Sequence, residues 1–353
     1  MGVTPRPDQS SFDSIGVSRL APSPTGALHL GNARTFLVNW AIARTCGWTL
    51  RLRIEDFDTP RVKAGATASI LDTLRWLGID WNAWDEHPSP DDCFVQSSDV
   101  EPYREAMRLL ARSGLAYPCV LTRAEIEAAA SAPQAGSHEV AFPASMRPPD
   151  AAKGYDFDAL NRSVSENARP NWRFVVAKGA LRFDDRFAGP RSYDPSEIVG
   201  DFVLWTKRDQ PSYQLAVVVD DHRQGVTEII RGDDLLDSAS RQLLLYRALG
   251  YTPEPSYAHL PLVIGEDGRR LAKRHGDTRI EYYREKGVTA EAIIGLIARW
   301  CGVTPTSHAP TIMTARGFMK GFDLSKMSSG PVVFSAKDNA WLLSTVSRRA
   351  TAG

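Results

Sequence analysis

The chain has no excess of either charge: 42 Lys and Arg meet 42 Asp and Glu in 353 residues. A polyanionic partner must therefore be held by a local basic surface rather than by bulk attraction. Cysteine is scarce. Cys46, Cys93, Cys119 and Cys301 show neither C-x-x-C spacing nor the density of a disulfide scaffold, so a reducing, cytoplasmic setting is expected. No run reaches the roughly 18 apolar residues of a membrane-spanning helix, and no membrane partner is expected. Residues 1–16 lack an apolar signal core, and Arg6 stands where a myristoylation signal needs Ser or Thr, so this stretch reads as a flexible leader. What remains is ordinary for a globular chain of two or three domains, with 43% apolar residues, 26 Gly and 23 Pro.

Val17 to Leu20, bounded by apolar residues, reads as a short strand. It enters a Pro/Gly corner, after which Phe36, Leu37, Trp40, Ala41 and Arg44 recur at helical spacing until Gly47. Residues 50–54 alternate as a strand, and 63–77 follow as a helix closed by Gly78, which makes a βαβα unit and predicts a parallel sheet. Ser98 or Asp99 is expected to cap a helix running through Arg112, and residues 130–171 lose periodicity as a surface excursion. Strands are predicted at 171–176, 180–187 and 201–205. LAVVVDD (215–221) reads as a buried parallel strand with which the sheet resumes. A helix near 233–249, a strand around 260–264 and helical segments over 279–301 follow, and the last fifty residues are weakly patterned.

The corner itself, RLAPSPTGALHLGNAR, places a strand, a glycine-containing turn and a helix N-terminus together. That arrangement gathers unpaired N–H groups into an anion site. It resembles the first signature of the class I aminoacyl-tRNA synthetases of the glutamyl and glutaminyl branch, with Asn32 in place of the second histidine of the HIGH element. The resemblance continues through RIEDFDTPR (53–61), LRWLGIDW (74–81), YQLAVVVDDHRQGVTEIIRGDDLL (213–236) and HLPLVIGEDGRRLAKR (259–274). Within the branch, the 215–232 block looks like that of the glutamyl-queuosine tRNA(Asp) synthetases. About 80 residues follow Lys273, too few to expect both a stem-contact subdomain and an anticodon-binding domain.

The resemblance implies an α/β fold: a class I synthetase Rossmann-like parallel sheet with an inserted α+β domain and a small C-terminal helical stem-contact subdomain. The expected divisions are the leader (1–16), the catalytic domain in two halves (17–94 and 206–265), the insertion (95–205), and a signature loop with subdomain and tail (266–353). It implies activation of L-glutamate by ATP. His29 and Lys273 would flank the phosphates as catalytic residues, and Pro22, Gly26, Gly31 and Asn32 would line the ATP site. Arg19 and Arg231 would hold the distal carboxylate and Glu55 the ammonium, with Ala21, Ser23 and Tyr213 lining the pocket. An ammonium on a flexible stem suits moving phosphates, and paired guanidiniums favour glutamate over glutamine by charge-assisted hydrogen bonds. Mg²⁺ would arrive with ATP.

Two motifs depart from the family pattern. RRLAKR (269–274) is a degraded KMSKS-type loop, with Arg270 and Ala272 substituted and Lys273 kept. KMSSG (326–330) matches that motif better by letters but lies too late in the chain. Relatives often bind zinc through a C-x-C pair and a later Tyr and Cys. Here Leu121, Phe142 and Met146 take three of those places, which leaves Cys119 with His138 nearby, too few ligands for a structural zinc. RNA contact is least legible, although 269–286 holds seven basic against three acidic residues.

The expected activity is tRNA-independent glutamyl-adenylate formation, with transfer to the queuosine base of tRNA(Asp) by a monomer. Two alternatives stay open: a truncated glutamyl-tRNA synthetase charging tRNA(Glu), and a non-catalytic paralogue that binds adenylate or RNA.

Overall fold

The computed structural model describes residues 15–129, 141–269, 271 and 277–350. The chain begins with β1 (Val17–Leu20), α1 (Leu30–Cys46), β2 (Thr49–Ile54), α2 (Ala66–Trp76) and β3 (Phe94–Val95), and the three strands pair in parallel in the order β1-β2-β3. The expected βαβα unit is thus present. Gly47, in the left-handed region at φ 73°, ends α1 and turns the chain into β2.

Helix α3 (Glu101–Arg112) is followed by β4 (Ala116–Cys119), α4 (Arg123–Ala129), α5 (Phe157–Ser163), β5 (Asn171–Phe174), β6 (Leu181–Asp185), β7 (Gly189–Tyr193), α6 (Pro195–Ile198), β8 (Val203–Thr206) and β9 (Gln210–Pro211). Strands β4-β5-β8-β9 make an antiparallel sheet, which covers α3 and α5 with its own apolar core of Tyr103, Phe157, Trp172 and Trp205. The predicted cap of α3 differs. Val100 holds the N-cap position without a side-chain bond. Asp99 is drawn away to Arg223 (2.6 Å), and the Ser98 hydroxyl donates to the Val95 carbonyl (2.6 Å).

The segment read as a buried strand is a helix. α7 (Tyr213–Arg223) carries LAVVVDD with every residue from Gln214 to Asp221 buried. An apolar run buried on all sides has no period to separate strand from helix, and tertiary packing overrides the β-branched preference. The parallel sheet resumes instead with β10 (Glu228–Gly232), which is followed by α8 (Ser238–Leu249), β11 (Ser256–Leu260) and β12 (Val263–Gly265). The strand expected at 260–264 is therefore two strands, parted at Pro261 and Leu262.

β10 pairs β11 in parallel, and β11 meets β6 at Tyr257 and Asp185. Thr227 N–H donates to the Val17 carbonyl (2.9 Å), which brings this group of strands beside β1. The C-terminal part comprises α9 (Ile280–Glu285), α10 (Ala290–Trp300), α11 (Ala315–Gly321), β13 (Val332–Phe334) and α12 (Ala336–Ala350). α9 and α10 meet the helical segments expected over 279–301, and the weakly patterned residues after them join the same core, which packs Ile293, Ile297, Phe318 and Leu324 with residues of α1 and α2. β13 pairs β12 in parallel.

Candidate active site

The C-terminal ends of β1, β2 and β10 deliver Ala21, Glu55 and Arg231 to one edge of the sheet, the usual ligand edge of an open α/β fold. Above them His29 takes the N-cap of α1. Its Nδ1 accepts from the backbone N–H of Gly31 (3.1 Å) and Asn32 (3.4 Å), and Asn32 Oδ1 accepts from His29 N–H (3.4 Å). This reciprocal cap gives Asn32, the residue that departs from the motif, a task in fixing the ring. Acceptance at Nδ1 leaves the proton of the neutral imidazole on Nε2. A Cβ on Gly31 would lie 3.0 Å from His29 Cε1, so a larger residue there would press on the ring. A Cβ on Gly26 would meet nothing within 4 Å, so any demand for glycine there comes from a ligand.

A cavity of about 560 Å³ opens at this edge. Pro22, Gly26, His29, Gly31 and Asn32 line it from the corner, Arg19, Ala21 and Ser23 from the end of β1, and Glu55, Tyr213 and Arg231 from the remaining elements. These are all the site residues predicted from sequence except Lys273, which lies outside the described residues together with Arg270 and Ala272. Phe36, Ile230, Leu262 and Val263 add an apolar side. Lys326 of the KMSSG segment does not line the cavity: it pairs with Asp323, and Met327 beside it is fully buried.

Beneath the cavity lies a buried ion cluster that sequence reasoning missed. Asp221 on α7 accepts from Arg19 Nε (3.1 Å) and Arg53 Nη1 (2.8 Å), and Arg53 Nη2 donates to Glu55 (3.2 Å). Burial pushes Asp221 up, but the two guanidiniums outweigh it and hold its carboxyl below the usual range. Burial prevails at Glu55, whose carboxyl is raised even with Arg53 and Arg19 nearby. An incoming ammonium would offset that cost by its opposite charge and favour the ionised carboxylate. Arg231 is fixed separately. It donates to His259 Nε2 (2.9 Å), Gln242 Oε1 (2.8 Å) and the Leu235 carbonyl (3.1 Å). The one clue in the sequence was the pair of carboxylates closing an apolar run in LAVVVDD.

A second cavity of about 460 Å³ meets the first at Tyr213, lined by Arg173, Phe202, Gln214 and Arg241 between the antiparallel sheet and α7. Residues 17–341 match the family model of the class I tRNA synthetase (E and Q) catalytic domain. The chain belongs to this family. It is a ligase of the aminoacyl-tRNA synthetase class, with the fold expected from its motifs. It is 46% identical over 302 residues to the glutamyl-Q tRNA(Asp) synthetase of Rhodopirellula baltica, covering 84% of this chain and 88% of that protein. The protein of the same name from Symbiobacterium thermophilum is 40% identical, with 92% and 97% covered. Among solved structures, a glutamate tRNA ligase from Elizabethkingia meningosepticum in complex with its amino acid superposes with a TM-score of 0.70 at 27% identity, covering 93% of this chain and 68% of that one.

Proposed function

We propose that the protein activates L-glutamate with ATP, without tRNA, and transfers the glutamyl group to the queuosine base of tRNA(Asp). The observation that carries the reading is the convergence of two anchored guanidiniums, Arg19 and Arg231, with the partly buried carboxylate of Glu55 in one cavity. That set matches an amino acid with a distal acid and an α-ammonium. The distal carboxylate lies between Arg19 and Arg231, and the ammonium lies at Glu55, with Ala21, Ser23 and Tyr213 around the chain.

The α-carboxylate then attacks the α-phosphorus of ATP and pyrophosphate leaves. His29 donates from Nε2 to phosphate oxygen as negative charge builds, at the positive end of α1. Lys273 is proposed as the second cation. Pro22, Gly26, Gly31 and Asn32 give the nucleotide close approach to backbone. Mg²⁺ supplies charge neutralisation on the phosphates and comes with ATP. The cavity beyond Tyr213 offers Arg173 and Arg241 to an acceptor nucleotide, which supports a nucleoside entering from the side of the antiparallel sheet. The enzyme is proposed to act as a monomer in the cytoplasm. Among the described residues no helix is long and apolar enough to cross a membrane.

Exchange of labelled pyrophosphate into ATP with glutamate alone tests the reading. Exchange without tRNA is expected. Exchange only with tRNA(Glu) would favour a truncated glutamyl-tRNA synthetase, and none under any condition a non-catalytic paralogue.

No zinc is proposed in the insertion. Cys119 and Phe142 are buried in one apolar cluster with Leu121 and Met146 packed against it, an arrangement that supports packing in place of a metal; His138 lies outside the described residues. Elemental analysis of purified protein should find less than stoichiometric zinc, and one zinc per chain would contradict this.

A further inference from the structure

Arginine has five N–H donors and no acceptor, and three of those on Arg231 are engaged within the protein, by His259, Gln242 and the Leu235 carbonyl. Among the described residues this leaves one N–H on each terminal nitrogen, two donors that a carboxylate can take together. What aims this fork is the bond at Nε. Because arginine only donates, His259 must accept at Nε2, so the ring proton sits on Nδ1 and donates to Asp185 Oδ2 at 2.6 Å. Asp185 is held in turn by backbone N–H groups of Phe187 (3.0 Å), Ala188 (2.6 Å) and His259 (3.1 Å).

The sheet builds this line directly: Arg231 and His259 are register partners in β10 and β11, and Tyr257 of β11 pairs with Asp185 of β6. His259 is 1% exposed, so water does not compete for its nitrogens. Burial and the adjacent Arg231 push its imidazole below the usual range, in keeping with a neutral acceptor.

We propose that His259 is a positioning residue for the amino acid: backed by Asp185, it presents an acceptor that orients Arg231 toward the distal carboxylate of the substrate. This rests on the reading that Arg231 binds that carboxylate.

Two amide variants separate the ring's two contacts. In His259→Asn the amide stays near Asp185 but cannot reach Arg231. In His259→Gln an acceptor reaches the place of Nε2. Steady-state pyrophosphate exchange should show the glutamate KM of His259→Asn raised about tenfold or more, with that of His259→Gln much nearer wild type and the ATP KM unchanged in both. If His259 merely satisfied Asp185, the order would reverse. That reversal, an unchanged KM in His259→Asn, or equal loss in both variants, loss of folding included, would overturn the proposal. Wild-type protein without glutamate-dependent exchange would instead reject the functional reading and this inference with it.

Discussion

Replacing Arg231 by Ala should raise the KM for glutamate about 100-fold or more while the KM for ATP stays close to wild type. The side chain is 5% exposed and its three engaged nitrogens are aimed before substrate arrives, so little ordering is left to binding. Truncation removes the contact to substrate and takes away the donor that Arg231 gives to the Gln242 oxygen and to His259 Nε2. Arg231→Lys should rescue poorly, because an ammonium cannot keep those three partners and still offer a fork. Initial-rate exchange kinetics at varied glutamate and at varied ATP check both statements. Equal rises in both KM values would place Arg231 outside the amino-acid site.

Arg53→Met should destabilise the fold by about 3–5 kcal/mol, the largest loss of stability expected here from one substitution. Arg53 is fully buried and sits among Asp221 (2.8 Å), Glu55 (3.2 Å) and Asp220 (4.0 Å). Methionine fills similar space but leaves these carboxylates in low dielectric with less compensation. Asp220 is already pushed up to about 6 by burial. As pH falls through that value it takes a proton, so the cost of losing the cation shrinks. Unfolding of wild type and variant at several pH values should therefore show a gap that is widest in mild alkali and narrows in acid. Arg61→Ala is the control: the Arg61–Asp58 pair is exposed, and its loss should change stability by no more than about 1 kcal/mol.

Parts of this architecture that depend on neighbours in sequence were legible. The corner at 19–32 was legible because strand, glycine-containing turn and helix N-terminus follow one another in sequence, and its resemblance to a known signature named the residues of the site. The eleven described residues predicted from it and from the later motifs line one cavity. The helix at 213–223 was not legible, because burial on every side erases the alternation by which strand and helix differ. Nor were Asp221, Arg53, His259 and Asp185 legible as site residues. Their partners stand 168 positions away for Arg53 with Asp221 and 74 for His259 with Asp185. Such pairings exist only once the sheet is assembled. Asp99, read as a cap, shows the same rule in reverse, since a long-range arginine outcompetes the local bond.

The most direct test of the whole account supplies labelled glutamate and ATP to purified enzyme with tRNA(Asp) that either carries or lacks queuosine. Label should appear on the queuosine-bearing tRNA and not on the unmodified one. Label on both alike, on tRNA(Glu) instead, or on neither while the adenylate forms would contradict it.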